Sequence, residues 1–248
     1  MNAVVTLAIG NEYNRIGNTT FPLMRDYAKK ILADYIVLDT PRLKLGFYNY
    51  EKLQIFDLFE KYERIIFLDS DLLVTPRCPN LFSVTPERAL GAFKVSNYTN
   101  FHDKAIRVIQ DELGDIGWDR DYFNSGVMVV SRQHREVFNK NNGLLKWISR
   151  DTTGQLFSDQ TYINYLVKKF GIEVYDLGYK FNHTTAPKNS DRRFRSYIIH
   201  YPGKGHRQGS KVEQIEKDAR ILRYNMLYLL FFLCPFLVRA TGNSIDHR

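Results

Sequence analysis

Apolar and polar positions alternate in blocks along most of the chain, and each block reads as one element. Val4-Val5-Thr6-Leu7-Ala8-Ile9, closed by Gly10-Asn11, is a nearly unbroken apolar run that predicts a strand buried on both faces. Helical spacing follows over residues 20–33, then a second strand at Tyr35-Ile36-Val37-Leu38. Residues 50–61 carry Leu53, Phe56, Leu58 and Phe59 at amphipathic spacing, a helix that leads into the strand Ile65-Ile66-Phe67-Leu68. Later strands are expected at Leu90-Gly91-Ala92-Phe93 and Gly126-Val127-Met128-Val129-Val130, with helices over 136–148 and 159–169. Short strand-like pieces at Val174-Tyr175 and Tyr197-Ile198-Ile199 complete the series. Strand alternating with helix predicts the α/β class, with a Rossmann-like, mostly parallel sheet flanked by helices.

After residue 207 the pattern changes to a helical, apolar tail over 208–248. Its stretch from 224 to 238 contains thirteen consecutive residues, from Met226 to Val238, with no charge, too short a run to span a bilayer. Arg220 and Arg223 precede it and Arg239 follows. Two readings stay open: residues 224–239 lie in an anionic membrane interface, or they dock on the core as a carboxyl-terminal helix.

Composition narrows the class of protein. With 248 residues and 44% hydrophobic content, the chain can bury a sizeable core and is not a disordered one. A formal charge of +8 favours an anionic partner: an acidic lipid surface, a phosphorylated small molecule or a nucleic acid. Zinc-finger spacing, an aromatic RNA-binding signature and an uninterrupted basic arm are all missing from the sequence, so nucleic acid is set aside. Cys78 and Cys234 are too few and too far apart for a disulfide framework, which predicts reduced thiols. The first apolar segment lacks a basic leader and reads as a strand, so the expected location is cytoplasmic with peripheral membrane association.

The strongest chemical signal is Asp69-Ser70-Asp71, two carboxylates directly after a buried strand. Residues two apart on an extended chain point the same way, so both can face one ion across small Ser70. Hard oxygen ligands at the carboxyl end of such a strand suit Mg²⁺ or Mn²⁺ completed by substrate phosphates. The same pair also occurs where a strand merely gives way to a polar turn. Phosphotransferases with an aspartate nucleophile share D-x-D as well, but they want Thr or Val two residues after the second Asp, where Leu73 stands here.

Several segments together resemble the glycogenin-like and galactosyltransferase-like retaining glycosyltransferases of family 8, over most of residues 1–207. Phe67-Leu68-Asp69-Ser70-Asp71 is similar to that family's F/Y-L-D-x-D, and Tyr122-Phe123-Asn124-Ser125-Gly126-Val127 to its Y-F-N-x-G-V. Ser158-Asp159-Gln160 with Asn164 resembles its D-Q-x-x-x-N, and His200-Tyr201-Pro202-Gly203 its H-x-x-G. The resemblance implies a GT-A fold, a catalytic domain over 1–207, and a metal, Mn²⁺ with Mg²⁺ as the alternative, held by Asp69, Asp71 and His200. It implies a UDP-sugar donor bound by Ala8, Tyr13, Lys52, Ser70, Asn124, Ser125, Gly126 and Gly203, with Asp159 and Gln160 at the reacting sugar. The family continues H-x-x-G-x-x-K-P-W, but His206 falls at the lysine position, so Lys204, His206 or Arg207 is left to meet the diphosphate.

The expected activity is therefore metal-dependent transfer of a hexose-type sugar from a nucleotide sugar to a glycan, lipid-linked or protein acceptor. A binding protein of the same fold, for a sugar nucleotide or a membrane surface, is the alternative. Taken singly, Tyr13 reads as packing, Lys52 as a solvated helix residue, His200 as a buried core histidine and Gly126 as a strand start. Their joint order is what points to a site. The basic run with Lys188, Arg192, Arg193 and Arg195 reads as a solvated loop, or as a contact for an anionic acceptor or lipid. His102, His134 and His183 carry no assignment.

Overall fold

The computed structural model describes residues 1–233, with side chains through Arg223. The chain opens with β1 (Asn2–Leu7), α1 (Asn11–Lys30) and β2 (Asp34–Leu38). A 3-10 segment over Tyr48–Gln54 runs into the short α2 (Ile55–Leu58), then β3 (Arg64–Asp69) and β4 (Leu72–Val74). Next come α3 (Leu81–Val84), β5 (Leu90–Phe93), α4 (Asp103–Leu113) and β6 (Asn124–Ser131). The last elements are α5 (Leu144–Arg150), α6 (Ser158–Lys169), β7 (Val174–Asp176), β8 (Ile198–His200) and α7 (Lys211–Leu233).

Six strands form a sheet in the order β2-β1-β3-β6-β5-β7. Five point the same way and β6 runs against both neighbours, so the sheet is mostly parallel. Strand alternation sorts the core into two layers. Ala3, Val5, Ile65, Phe67, Met128 and Val130 face the layer built with α4, α5 and α6. Val4, Ile66, Leu68, Val127 and Val129 face α1, through Met24, Tyr27 and Ala28. Coverage on both faces explains why these strands read as continuous apolar runs.

Several predicted elements differ in extent. α1 begins at Asn11, well before residue 20, and buries Ile16, Thr20, Met24 and Tyr27 along one face. The helix expected over 50–61 is mostly 3-10, with α2 as a single turn. The helix expected over 136–148 is broken: a 3-10 segment ends at Phe138, and Gly143, at φ 95, starts α5 afresh. α4 lies where the pattern predicts no element, although Ala105, Ile106 and Ile109 form its buried face.

β8 does not join the main sheet but pairs antiparallel with β4. Behind that pair, α7 packs Val212, Ile215 and Ala219 against Ile16, Leu73, Ile199 and Tyr201. A buried ion pair fastens it: Arg193 Nη2 donates to Asp218 Oδ1 at 2.9 Å, and the Tyr201 hydroxyl donates to Asp218 Oδ2 at 2.8 Å. The basic run around residue 190 is thus not wholly solvated, because Arg193 is buried while Lys188, Arg192 and Arg195 face outward. The apolar stretch 224–239 lies outside the described side chains. Among the described residues, no helix is long and apolar enough to cross a membrane.

Candidate active site

Asp69 ends β3, and the chain turns through Ser70 and Asp71 into β4. The turn is pinned from α1, where the Thr20 hydroxyl donates to the Ser70 carbonyl at 2.7 Å. Pairing of β4 with β8 places His200 opposite Leu72, and the Tyr201 N–H donates to the Asp71 carbonyl at 3.1 Å. Residues far apart in sequence are thereby drawn together: the ligand atoms of Asp69, Asp71 and His200 all lie within 4.8 Å of one another.

A chain of hydrogen bonds decides which histidine nitrogen faces the carboxylates. The backbone N–H of Gly126 can only donate, and it donates to Asn124 Oδ1 at 3.0 Å. The group 2.8 Å from that oxygen is then the Asn182 amide NH₂, so Asn182 presents its Oδ1 to His200 Nδ1 at 2.7 Å. Nδ1 therefore carries the proton, and Nε2 points at Asp71 Oδ1 (3.3 Å) and Asp69 Oδ2 (3.7 Å). A bare lone pair opposite two carboxylates is repulsive unless a proton or a cation lies between them. Two carboxylates and an imidazole whose far nitrogen donates to an amide oxygen form a donor set that fits Mn²⁺ or Mg²⁺. Gly126 makes room for it: a Cβ there would stand 2.3 Å from His200 Cε1 and 2.8 Å from Asp69 Oδ2.

Two lysines, Lys52 buried and Lys211 half-buried, balance these charges. Lys52 Nζ lies 2.8 Å from Asp159 Oδ2 and 3.3 Å from Asp69 Oδ1, and it donates to Ser125 Oγ at 3.1 Å. Burial pulls the Lys52 pKa down, but Asp159 and Asp69 outweigh it and raise the value above the ordinary one. Lys211, in the first turn of α7, donates to Asp71 Oδ2 at 2.8 Å. Burial would push the Asp71 carboxyl up; a proton on His200 Nε2, standing where a cation would, and the Lys211 ammonium overcome this and hold it at about 2.

These groups open onto a cavity of about 520 Å³. Tyr13, Lys52, Asp69, Ser70, Asp71, Asn124, Ser125, Asp159, Gln160, His200 and Gly203 all line it. The rings of Tyr13 and Tyr48 both line it and both lie within 3.9 Å of where a Cβ on Gly10 would be. Asp159 and Gln160 lie in the first turn of α6. Gln160 Oε1 accepts from Asn124 Nδ2 at 2.9 Å and from the Ser125 N–H at 3.1 Å. Asn164 ties the helix to β6 by exchanging hydrogen bonds with both backbone groups of Phe123 at 2.9 Å.

The remaining expected residues sit elsewhere. Ala8 is buried beside the cavity, and its N–H is taken by the Leu38 carbonyl at 2.9 Å. Gly126 lies beneath the histidine, not on the cavity wall. His206 bonds inward to Ser190 Oγ and the His200 carbonyl, both at 2.9 Å, and burial holds its imidazole down at about 4, which makes it neutral. Lys204 and Arg207 do not line the cavity; the Arg207 guanidinium lies 3.7 Å from Asp218. Lys204, His206 and Arg207 thus stand off the cavity wall, whereas Lys211, which the α1–α7 packing brings in, lines it. That packing left no local signal. Asn182 and Tyr48 were also missed: an asparagine and a tyrosine in short irregular segments have no spacing to mark them.

Comparison with known proteins agrees with this geometry. A family model described as glycosyl transferase family 8 matches residues 17–225. No curated protein matches the chain. Among solved structures, the chain is similar to a glycosyltransferase involved in the glycosylation of the major capsid of PBCV-1, at 12% identity and TM-score 0.57, covering 87% of this chain and 98% of that one. It is also similar to the glycosyltransferase GlyE of Streptococcus pneumoniae TIGR4, at 17% identity and TM-score 0.56, covering 91% of this chain and 63% of that one. The galactosyltransferase LgtC, solved with donor and acceptor sugar analogs, gives 15% identity and TM-score 0.53, covering 88% and 95%. At these identities the structures speak for a shared GT-A-like fold. With the family model spanning most of the chain, a sheet of the same kind, and Asp-Asp-His gathered at the carboxyl end of its central strand β3, the chain belongs to glycosyl transferase family 8.

Proposed function

We propose that this protein is a metal-dependent, retaining hexosyltransferase that uses a UDP-sugar donor. The carrying observation is the convergence of Asp69, Asp71 and His200 at one end of a cavity that also holds two lysines and a pair of tyrosine rings. The Tyr13 and Tyr48 rings, both on the cavity wall, suit contact with a nucleobase. Mn²⁺, or Mg²⁺ in its place, would be held by Asp69, Asp71 and His200 and supply neutralising charge to the diphosphate. Lys211 adds a second positive charge beside the same oxygens, and Asn124, Asp159 and Gln160 offer fixed donors and acceptors to sugar hydroxyls.

In the reaction, the bond from the anomeric carbon to the donor phosphate breaks and its electron pair stays on the diphosphate. The acceptor hydroxyl oxygen bonds to the carbon, and its proton passes to the released phosphate oxygen. Retention rests on the family resemblance. Two observations favour attack on the same face over double displacement: Asp159 is tethered to Lys52 at 2.8 Å, and Gln160 Oε1 is filled by two N–H donors. Asp159 Oδ2 and Gln160 Oε1 are thus already engaged, which weakens each as a nucleophile.

The catalytic unit, expected over residues 1–207, extends on this reading into the first turns of α7, which carry Lys211 and Asp218, and residues 234–248 lie outside the described ones. The basic-flanked stretch 224–239 is assigned to an anionic membrane surface; deletion after Arg223 should reduce binding to phosphatidylserine vesicles, and unchanged binding removes that role. For the activity, a panel of nucleotide sugars is incubated with Mn²⁺ and hydrolysis is followed without an acceptor. Release of UDP from one donor, abolished by chelation and by Asp69→Asn, is the expected result. UDP binding with no turnover of any donor, across acceptors, would instead make this a binding protein.

A further inference from the structure

Glu51 is a buried carboxylate that the reaction leaves unused. It is 1% exposed, and its oxygens accept from three successive backbone N–H groups: Arg42 at 2.9 Å on Oε2, Leu43 at 3.0 and 2.9 Å on Oε1 and Oε2, and Lys44 at 2.8 Å on Oε1. Consecutive N–H groups that converge form a cradle for an anion, and here a side chain of the same protein fills it. Gln54 closes the arrangement, its Nε2 donating to Glu51 Oε2 at 2.8 Å and to the Thr40 carbonyl at 3.0 Å. Lys44 takes its place at φ 53, a left-handed setting uncommon for a residue with a side chain.

The segment that carries Glu51 is the 3-10 helix Tyr48–Gln54, in which residues three apart eclipse one another. Three stripes result. Asn49 and Lys52 line the cavity. Tyr50 and Leu53 enter the core. Glu51 and Gln54 meet the loop 40–44. The winding is not set locally, because the apolar spacing of residues 50–61 suits an α-helix and α2 follows without a break. Rewound as α, the segment would turn a residue four places along by about 80°, since the two helices advance about 120° and about 100° per residue. Lys52 Nζ would then leave the gap between Asp159 Oδ2 and Asp69 Oδ1, which stand 2.8 and 3.3 Å from it.

We infer that Glu51 is a positioning residue: latched to residues 42–44, it fixes the winding of the 3-10 segment and thereby sets the Lys52 ammonium between Asp69 and Asp159. Glu51 does not line the cavity, so it acts on the donor through Lys52 alone. This rests on the transfer reading above.

The test is a double-mutant cycle on the full chain, with Mn²⁺ and the donor it hydrolyses. Glu51→Gln replaces one accepting oxygen by an amide NH₂ that cannot meet the N–H groups of the loop. It should lower kcat/KM about tenfold in the parent and less than about twofold in Lys52→Met, where the residue it positions is already gone. The same loss on both backgrounds would mean that Glu51 merely supports the fold, and overturns the proposal. If Glu51→Gln does not fold, as judged by melting, Gln54→Met, which removes one donor from the latch, goes through the same cycle with the same two outcomes. A second readout needs no turnover. In ¹⁵N-labelled protein a buried, held ammonium exchanges its protons slowly enough to give an NMR cross-peak; Lys52→Met identifies it by its loss, and Glu51→Gln should broaden or remove it. If no donor is hydrolysed, the transfer reading fails and this signal still decides the latch. A parent without the peak, or a peak unchanged by Glu51→Gln, overturns it.

Discussion

Asn182 is the residue whose removal should expose the logic of the metal site. It touches none of the proposed substrates, yet its Oδ1 accepts the Nδ1 proton of His200 at 2.7 Å, deep in the protein. Asn182→Leu keeps roughly the same volume and deletes that acceptor. The imidazole then either buries an unpaired N–H, costing about 1–3 kcal/mol, or moves its proton to Nε2 and blocks the ligand atom. Since about 1.4 kcal/mol is tenfold in an equilibrium, this corresponds to a loss of about 10- to 100-fold in metal affinity. Asn182→Asp still accepts from Nδ1–H and should stay much closer to the parent, although the 2.8 Å bond to Asn124 Oδ1 loses its donor. Mn²⁺ titration followed by the EPR signal of the free ion reads this without turnover, and thermal melting of the same samples checks the fold. A folded Asn182→Leu protein that binds Mn²⁺ as tightly as the parent would refute the tautomer argument.

Four further outcomes are expected. Gly126→Ala pushes a Cβ to 2.3 Å from the His200 ring, so Mn²⁺ affinity should fall at least about tenfold; unchanged affinity would show that the imidazole is free to move. Lys211→Met should raise the donor KM by about tenfold or more while leaving the fold intact, as judged by melting, because it removes a charge-assisted contact worth about 1.5–3 kcal/mol. Asp218→Ala strands the buried Arg193 guanidinium and should destabilise the protein by about 3–5 kcal/mol in urea unfolding, whereas replacing both partners by apolar residues should cost less. His102, held down at about 4 from 6.5 by burial, is neutral when folded but takes a proton when unfolded. Its contribution is intact above about 6.5 and declines as pH falls toward about 4, so His102→Phe should flatten the loss of stability in that window; an identical pH profile would contradict the assignment.

The sequence by itself determined the things that local pattern encodes. Apolar runs marked the central strands, and Asp69 and Asp71 were legible because a buried strand that ends in two carboxylates two residues apart has a physical consequence on the spot. Asn124, Asp159, Gln160 and His200 were legible through the order of short motifs that resemble one family. What only the tertiary structure decided depends on distances across the chain. The reversed direction of β6 leaves no trace in periodicity, which is the same for a strand run either way. The pairing of β4 with β8 sets His200 beside Asp71, and the packing of α7 on α1 brings Lys211 onto Asp71 at the cavity. His206 itself turns inward because its two ring nitrogens find a hydroxyl and a carbonyl there. Asn182 is invisible to any spacing rule, since a hydrogen-bond partner is set by the folded geometry and not by sequence separation.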